Sequence, residues 1–246
     1  MKTIHVISLA ILFISPLHLM GQYVCYDEDG YTNVRKGQGT RYEIVDKVSK
    51  YELFFSSDWL CADGNTLDSS LTWIPFARSH YDYPNGFIYR KNIRILDDMP
   101  TLRWDDTLVS DPLLLSCSND TISINLVMKE FDANNHVVEY IAYDDEYKFI
   151  KSIDGESPKG FYYPIESDKV RGKEMDALYI ERGNRRTYLP IDVIKNYFNL
   201  RGMVVFLGYE NELYIYIGGG DASESFGIYL SVVDGEIKFT LEYGAC

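Results

Sequence analysis

The sequence predicts a mainly β protein with two parts, a small β-barrel over residues 22–98 and an α+β module over residues 99–246. Short apolar or alternating stretches recur at close intervals and are separated by glycine-containing turns, a pattern typical of antiparallel sheets. Aromatic residues make up 15% of the chain, and 21 of its 246 residues are tyrosine, which favours strands. Only residues 190–200 have helical spacing.

Residues 1–21 have the features of an export signal rather than of folded structure. Lys2 supplies a positive start, residues 4–14 form an apolar run, and Pro16 and Gly21 mark its end. We therefore expect cleavage before Gln22 and a soluble protein that is periplasmic or secreted. The apolar run is shorter than the roughly 18–20 residues of a membrane span, and no later stretch of the sequence reaches that length.

The charge of the chain limits its partners. A formal charge of −13 argues against a nucleic-acid partner, which needs a basic face, and against docking on an anionic membrane surface. An acidic surface of this kind favours solubility, or else a cationic partner.

Export makes the four cysteines, Cys25, Cys61, Cys117 and Cys246, candidates for disulfides. Four cysteines allow three connectivities, among which the sequence does not choose. With two domains, Cys25–Cys61 and Cys117–Cys246 keep each bridge within one part. Free buried thiols that act as small hydrophobic groups are the alternative. No Cys-x-x-Cys pair is present, so neither a redox motif nor a thiolate zinc site is indicated.

The first part consists of short stretches with strand character. They cover residues 31–35, 42–45, 51–56, 59–61, 73–76 and 86–93, with a glycine turn at residues 36–40. Several short strands spaced by turns predict a small barrel. Its expected core residues are Val34, Ile44, Trp73, Ile88 and Ile93. We expect Arg35 to anchor the turn rather than to contact a ligand.

Two motifs in this part carry a family resemblance. Residues 29–37 read DGYTNVRKG and are followed by Gly39-Thr40 and Tyr42, while residues 86–93 read GFIYRKNI. Together they resemble the opening and the final strand of a bacterial SH3 domain over about residues 25–97. The resemblance implies a binding module for cell-wall peptide or glycan with an aromatic-lined groove. The candidate groove residues are Tyr31, Tyr42, Trp59, Tyr81, Tyr83 and Tyr89, although half of them would be expected only to cover the barrel.

The second part is predicted to be an antiparallel sheet with one helix. Residues 121–131 and 137–143 are predicted to form a hairpin around the turn 132–135, and Asp234-Gly235 predicts another between residues 226–233 and 236–241. Further strands are expected at 203–207 and 213–217. Residues 190–200, PIDVIKNYFNL, begin with Pro190 and place Ile191, Ile194 and Phe198 on one helical face. Residues 213–221, 227–230 and 234–236 resemble a C-terminal module of exported bacterial SH3-domain proteins, which implies architecture and no chemistry.

The sequence contains no arrangement typical of catalysis. After residue 21 the only histidines are His80 and His136, and His136 follows a polar turn that predicts a solvated side chain. Cys117 lacks the nucleophile motif and the downstream histidines of a cysteine peptidase. The acidic runs at residues 27–29, 105–106 and 144–146 lack the spacing of a calcium loop. Residues 218–221, GGGD, lack a phosphate-loop ending but allow close approach of a partner, and Asp221 could orient a bound group.

The sequence therefore predicts a non-enzymatic, exported binding protein without a cofactor or a metal. Its barrel would engage a cell-wall fragment or an envelope protein. The alternative is an acidic inhibitor or immunity protein that blocks a cationic wall-degrading enzyme, which a concentration of carboxylates around one concave patch of the second part would favour. A hydrolase that depends on Asp221 or Cys117 is the third hypothesis.

Overall fold

The computed structural model describes residues 22–56, 71–79, 83–103, 113–142, 147–161, 170, 172–220 and 225–244. This part of the chain is mainly β, and all of its named strand pairs are antiparallel. The predicted export signal at residues 1–21 lies outside it. Helical structure within the described ranges is limited to short 3₁₀ turns at Arg90–Asn92, Leu96–Asp98, Ala133–Asn135 and Asp192–Ile194.

The first part contains two sheets. Its strands are β1 (Gln22–Cys25), β2 (Tyr31–Arg35), β3 (Ile44–Ser49), β4 (Leu53–Phe55), β5 (Trp73–Phe76), β6 (Gly86–Tyr89) and β7 (Ile93–Ile95). Sheet A has the order β4-β1-β7, and sheet B has the order β3-β2-β6-β5. Across the described residues these strands form two sheets, which a bridge between Phe55 and Ala77 links, and no closed barrel.

The second part contains three sheets. Its strands are β8 (Thr101–Arg103), β9 (Leu114–Ser118), β10 (Ser123–Glu130), β11 (Val138–Ala142), β12 (Lys148–Ile153), β13 (Lys173–Arg182), β14 (Arg185–Tyr188), β15 (Leu200–Leu207), β16 (Leu213–Gly219), β17 (Phe226–Val233) and β18 (Glu236–Gly244). Sheet C has the order β18-β17-β16-β15-β8, sheet D has the order β14-β13-β10-β9, and β11 and β12 form a two-stranded sheet E.

Sheets B, A, C and D are stacked in that order, with an apolar core between each neighbouring pair. Successive residues of a strand point to opposite faces, so Tyr23 and Cys25 of β1 enter the core shared with sheet B. Val24 of the same strand enters the core shared with sheet C, which also contains Phe206. Sheet C turns its other face, with Val205, to the largest core, against sheet D. The two predicted parts are therefore joined by a continuous core.

Most strand positions agree with the sequence analysis. β2, β5 and β17 match their predicted ranges. The turn between β17 and β18 has Asp234 and Gly235 both at positive φ, +53° and +81°, which is the backbone that a two-residue Asp-Gly hairpin requires. None of the described residues belongs to a helix that is long and apolar enough to cross a membrane.

The predicted helix at residues 190–200 is wrong. Only Asp192–Ile194 form a 3₁₀ turn, although Ile194 and Phe198 are buried as expected. The backbone N–H of Phe198 donates to the Lys159 carbonyl at 2.8 Å, and Asn199 has a left-handed φ of +54°. Most residues of this stretch have a low helix propensity, and hydrogen bonds to neighbouring extended segments stabilise it more than a helix would. Strand β15 then begins at residue 200.

Two further predictions are wrong. Residues 138–142 do not return along β10 but pair with β12, while β10 lies between β9 and β13. Ile44 is not in the core, because β3 is an edge strand and the side chain is 46% exposed. The other expected core residues are buried, except Trp73, which is partly buried.

Candidate functional site

A groove of about 550 Å³ lies where the first part meets a loop of the second. The volume is in the range of small-ligand pockets. The β6–β7 segment supplies Tyr89, Arg90, Lys91 and Arg94, and the β15–β16 loop supplies Tyr209. The remaining described lining residues are Leu71, Thr72, Ile93, Ile95 and Asp98. We call this site the basic groove.

The local fold of the β6–β7 segment places the cations of the basic groove. A 3₁₀ turn at Arg90–Asn92 interrupts the strand, so that Arg90 and Lys91 follow Tyr89 directly. The side-chain amide of Asn92 fixes this turn to the neighbouring chain, because it donates hydrogen bonds to Asp27 Oδ2 at 2.6 Å and to Thr32 Oγ1 at 2.9 Å. The turn that presents two cations is therefore tied to the β1–β2 connection.

The cations of the basic groove have no carboxylate partner within the part of the chain that the structure describes. Neither Arg90, Lys91 nor Arg94 forms an ion pair with any described residue, and Asp98 is the one described carboxylate in the lining. Arg94 Nη1 is held by the carbonyl oxygen of Ile93 at 2.8 Å. Arg90 Nη1 is buried and lacks a hydrogen-bond partner among the described residues. In a chain of net charge −13, the groove is a local region of excess positive charge.

Tyr209 is positioned by its own loop. The buried carboxylate of Glu212, 1% exposed, accepts hydrogen bonds from the backbone N–H groups of Tyr209 at 3.0 Å and of Glu210 at 2.8 Å. Such charge-assisted bonds fix a tight loop. The Tyr209 ring packs edge-on against Tyr26 with ring centroids 5.8 Å apart, and it remains 58% exposed. The loop thus presents an exposed aromatic ring to the groove.

An ion pair ties this loop to the first part. The Lys50 ammonium donates to Glu210 Oε2 at 2.8 Å, and the Tyr51 hydroxyl donates to the same oxygen. These hydrogen bonds lower the pKa of Glu210 and raise the pKa of Lys50. The Tyr26 hydroxyl lies 3.3 Å from that of the buried Tyr214 and adds a further contact between the parts. We call this set of contacts, formed by Tyr26, Lys50, Tyr51, Glu210 and Tyr214, the seam. Burial raises the pKa of Tyr214 far above the ordinary range, so this hydroxyl stays neutral.

The structure separates the tyrosines that the sequence grouped as one groove. Tyr89 lines the basic groove and packs on Trp73, with centroids 5.3 Å apart. Tyr31 lies instead under the Lys47 ammonium at 4.0 Å, and Tyr42 covers Gly37 in the glycine turn. Tyr83 is 81% exposed and is not among the residues that line the groove. Trp59, Tyr81 and Asp221 lie outside the described residues.

Arg35 has the role that the sequence predicted. Its Nη1 donates to the Tyr42 carbonyl oxygen at 2.8 Å and so closes the turn between β2 and β3. The prediction that Arg35 anchors the turn is confirmed.

Cys25 and Cys117 are free, buried thiols in this structure, so neither of the two preferred disulfides is formed here. Burial raises the pKa of Cys25 to about 11 and that of Cys117 to about 12. Each thiol lies close to a backbone carbonyl, Cys25 to that of Val48 and Cys117 to that of Met203. Both behave as small core residues, and Cys61 and Cys246 lie outside the described residues.

His136 is not the solvated turn residue that the sequence predicted. Its Nδ1 lies 2.7 Å from Asp154 Oδ2, its Nε2 lies 2.9 Å from Glu174 Oε2, and its side chain is 17% exposed. The ring stacks on Phe131 with centroids 4.9 Å apart. Both ring nitrogens are therefore occupied by carboxylate contacts. His136 links sheet E to sheet D as a structural residue.

Gly218 and Gly219 do not leave an open approach for a partner. A Cβ on Gly218 would come within 2.5 Å of the Tyr216 hydroxyl, and a Cβ on its cross-strand neighbour Gly227 would meet the same ring. Gly219 is covered by Phe226. These glycines accommodate the protein's own aromatic rings, which corrects the expectation for residues 218–219.

A second, smaller cavity of about 270 Å³ lies at one end of sheets C and D. Arg182 and Arg185 of the β13–β14 hairpin line it, together with Asp234 and Asn211. Arg182 is already engaged with the Asn211 carbonyl at 3.5 Å. Its volume is below the usual size of a ligand pocket, which makes the basic groove the stronger candidate.

Sequence reasoning missed four residues of the basic groove. The sequence does show a local run of cations beside Tyr89 in an otherwise acidic chain, formed by Arg90, Lys91 and Arg94. Tyr209 had no such signal, because only the packing of sheet A on sheet C brings its loop to the β6–β7 segment.

Comparison with known proteins gives no assignment: no family model, curated protein or solved structure matches the chain.

Proposed function

We propose that the chain is an exported, non-enzymatic binding protein whose first part is an SH3-type module that binds a cell-wall peptide or glycan. The observation that carries the proposal is the basic groove, in which an aromatic side chain from each part and cationic side chains of the first part line one cavity of ligand size. Flat rings such as Tyr89 and Tyr209 supply contact area at low entropy cost. An envelope protein with an exposed peptide segment is the other partner of this class.

The state of the reactive side chains supports a role without catalysis. The Cys117 thiol, with a pKa of about 12, is a weak nucleophile at neutral pH. Both nitrogens of His136 are engaged by carboxylates, which leaves no free ring nitrogen to serve as a base. Ligand retention without turnover is the simplest use of the groove.

The charge of the cavities favours this function over that of an inhibitor of a cationic enzyme. Three cations and one carboxylate line the basic groove among the described residues, and Arg182, Arg185 and Asp234 are the charged residues of the smaller cavity. A concave acidic patch, which the inhibitor hypothesis needs, is not found in either cavity of the described residues.

Co-sedimentation of the purified protein with insoluble cell wall tests the proposal, with an envelope-protein pulldown as a second arm. We expect retention by the wall, weakened at least about tenfold by Tyr209→Ala, as for an aromatic residue central to an interface. Tyr83→Ala is the matched control, since Tyr83 is exposed outside the groove. Absence of retention in both arms, or equal loss with Tyr83→Ala, would contradict the proposal.

A further inference from the structure

We infer that the basic groove recognises a free carboxylate on a zwitterionic peptide segment, with Arg90 as the anchor. This inference rests on the proposed function and specifies the chemistry of its ligand. Arg90 follows Tyr89 in the 3₁₀ turn, and its backbone N–H donates to the Thr72 carbonyl at 3.0 Å, which fixes the start of its side chain.

The guanidinium of Arg90 has unused hydrogen-bonding capacity. Its Nη1 is buried and has no acceptor among the described residues, although buried polar atoms are normally hydrogen-bonded. Arg90 also lines the basic groove, and a guanidinium binds a carboxylate with two parallel N–H···O bonds. A neutral hydroxyl or amide oxygen offers a single, weaker bond.

The neighbours of Arg90 reinforce this preference. Lys91 is exposed at the same turn, and Arg94 is held beside it by the Ile93 carbonyl, with no carboxylate partner for either among the described residues. With Asp98 included, the described lining has an excess of two positive charges. The field of the groove therefore attracts an anion although the whole chain is acidic.

Asp98 indicates a peptide rather than a phosphate-bearing ligand. Its carboxylate is exposed in the same groove and would repel a dianion, but it can accept hydrogen bonds from a ligand ammonium. Leu71, Ile93 and Ile95 give the groove apolar surface for the carbon chain of a residue. A segment with an ammonium group, a carboxylate and short apolar side chains fits this lining.

Titration calorimetry with a soluble cell-wall peptide that carries free carboxylates and one free amine tests the inference. The matched probe is the same peptide with its carboxylates amidated, and inorganic phosphate is the third probe. We expect the amidated peptide to bind about ten- to a hundredfold more weakly, the loss expected for a charge-assisted pair. Phosphate should bind more weakly than the free peptide, and raised salt should weaken peptide binding.

The variant Arg90→Gln should reduce binding of the free peptide to the level of the amidated one, whereas Arg41→Gln should not. Arg41 is an equally charged surface residue whose guanidinium lies over Tyr42, away from the groove. Equal affinity for both peptides, tighter binding of phosphate, or an unchanged Arg90→Gln would overturn the inference. The wall-retention assay decides the proposed function separately, because retention through a neutral group would survive amidation.

Discussion

The ammonium of Lys50 and the carboxylate of Glu210 meet at 2.8 Å although 160 residues separate them in sequence. The pair joins the β3–β4 turn of the first part to the loop that carries Tyr209. Since Tyr209 is the contribution of the second part to the basic groove, the seam and the groove are one structural unit.

We predict that Glu210→Gln weakens retention by the wall a few-fold but changes the unfolding midpoint little. The pair is partly exposed, and such pairs contribute little to stability. The variant weakens the link between the first part and the loop that carries Tyr209, while Glu212 still holds the loop itself. Glu236→Gln, which breaks the exposed pair with Lys238, is the control and should leave retention unchanged. Thermal unfolding and co-sedimentation measure the two effects, and an equal loss of retention in both variants would contradict the role of the seam.

The seam also has a defined pH dependence. The hydrogen bond from Lys50 lowers the pKa of Glu210 below its usual 4.5. The ion pair is therefore intact above pH 4.5 and is lost as the pH falls through the lowered pKa of Glu210. Retention that depends on this seam should therefore be constant from neutral pH down to about pH 5.

We predict that the two parts unfold together. Phe206 is fully buried in the core between sheets A and C, and its replacement by alanine should cost about 3–5 kcal/mol. Far-UV circular dichroism and tryptophan fluorescence should report one coincident transition in the wild type, displaced as a whole by Phe206→Ala. Two transitions, of which only one moves, would show that the parts are independent domains.

The thiols give a third prediction. Cys25 and Cys117 should resist iodoacetamide at pH 8 in the native protein and react once urea unfolds it without a reductant, because burial raises the pKa of both. Peptide mass spectrometry locates the label. A Cys25 or Cys117 peptide that stays unlabelled in urea would reveal a disulfide and contradict the free thiols of the structure.

A fourth prediction concerns the clamp formed by His136. The hydrogen bond from His136, with that from the Val137 backbone, lowers the pKa of Asp154 below its usual 3.8. The ionised Asp154 carboxylate therefore contributes to the stability of the fold above pH 3.8, the usual pKa of the group. This contribution is lost as the pH falls through the lowered pKa of Asp154. Urea unfolding should thus show Asp154→Asn less stable than wild type at pH 6, with the difference shrinking towards pH 3.

Asp120→Asn is the control for the clamp, since Asp120 is exposed in the β9–β10 turn. A difference between Asp154→Asn and wild type that grows on acidification would have the wrong sign for this account. His136→Ala should lower the free energy of unfolding by about 1–3 kcal/mol, more than Asp154→Asn does. It leaves the buried Glu174 with Lys129 as its one charged partner among the described residues.

The local features of the fold were predictable from sequence because their signals are local. The Asp234-Gly235 turn, the Arg35 anchor and the ranges of β2 and β17 each depend on a few neighbouring residues. The pairing of β11 and the loss of the helix at 190–200 depend on distant segments that compete for the same backbone hydrogen bonds. The helical spacing of apolar residues carries no information about that competition for hydrogen bonds.

The candidate site divides in the same way. Tyr89 was predicted as a groove residue from its motif, and the adjacent cations lie within the same short segment. Tyr31 and Tyr42 are exposed, but the pairing of β2 with β3 places Tyr31 under Lys47, and the turn between these strands places Tyr42 over Gly37. Tyr209 depends on the stacking of sheet A on sheet C, which no local pattern encodes.

Hydrogen–deuterium exchange of the purified protein with and without soluble cell-wall peptides tests the central claim most directly. The account predicts new protection in the β6–β7 segment, residues 89–95, and in the loop 208–212, because both line the basic groove. The exposed edge at residues 42–49 and the hairpin at 182–187 should be unchanged. Protection confined to those two regions, with the groove unchanged at saturating peptide, would contradict the assignment of the binding site.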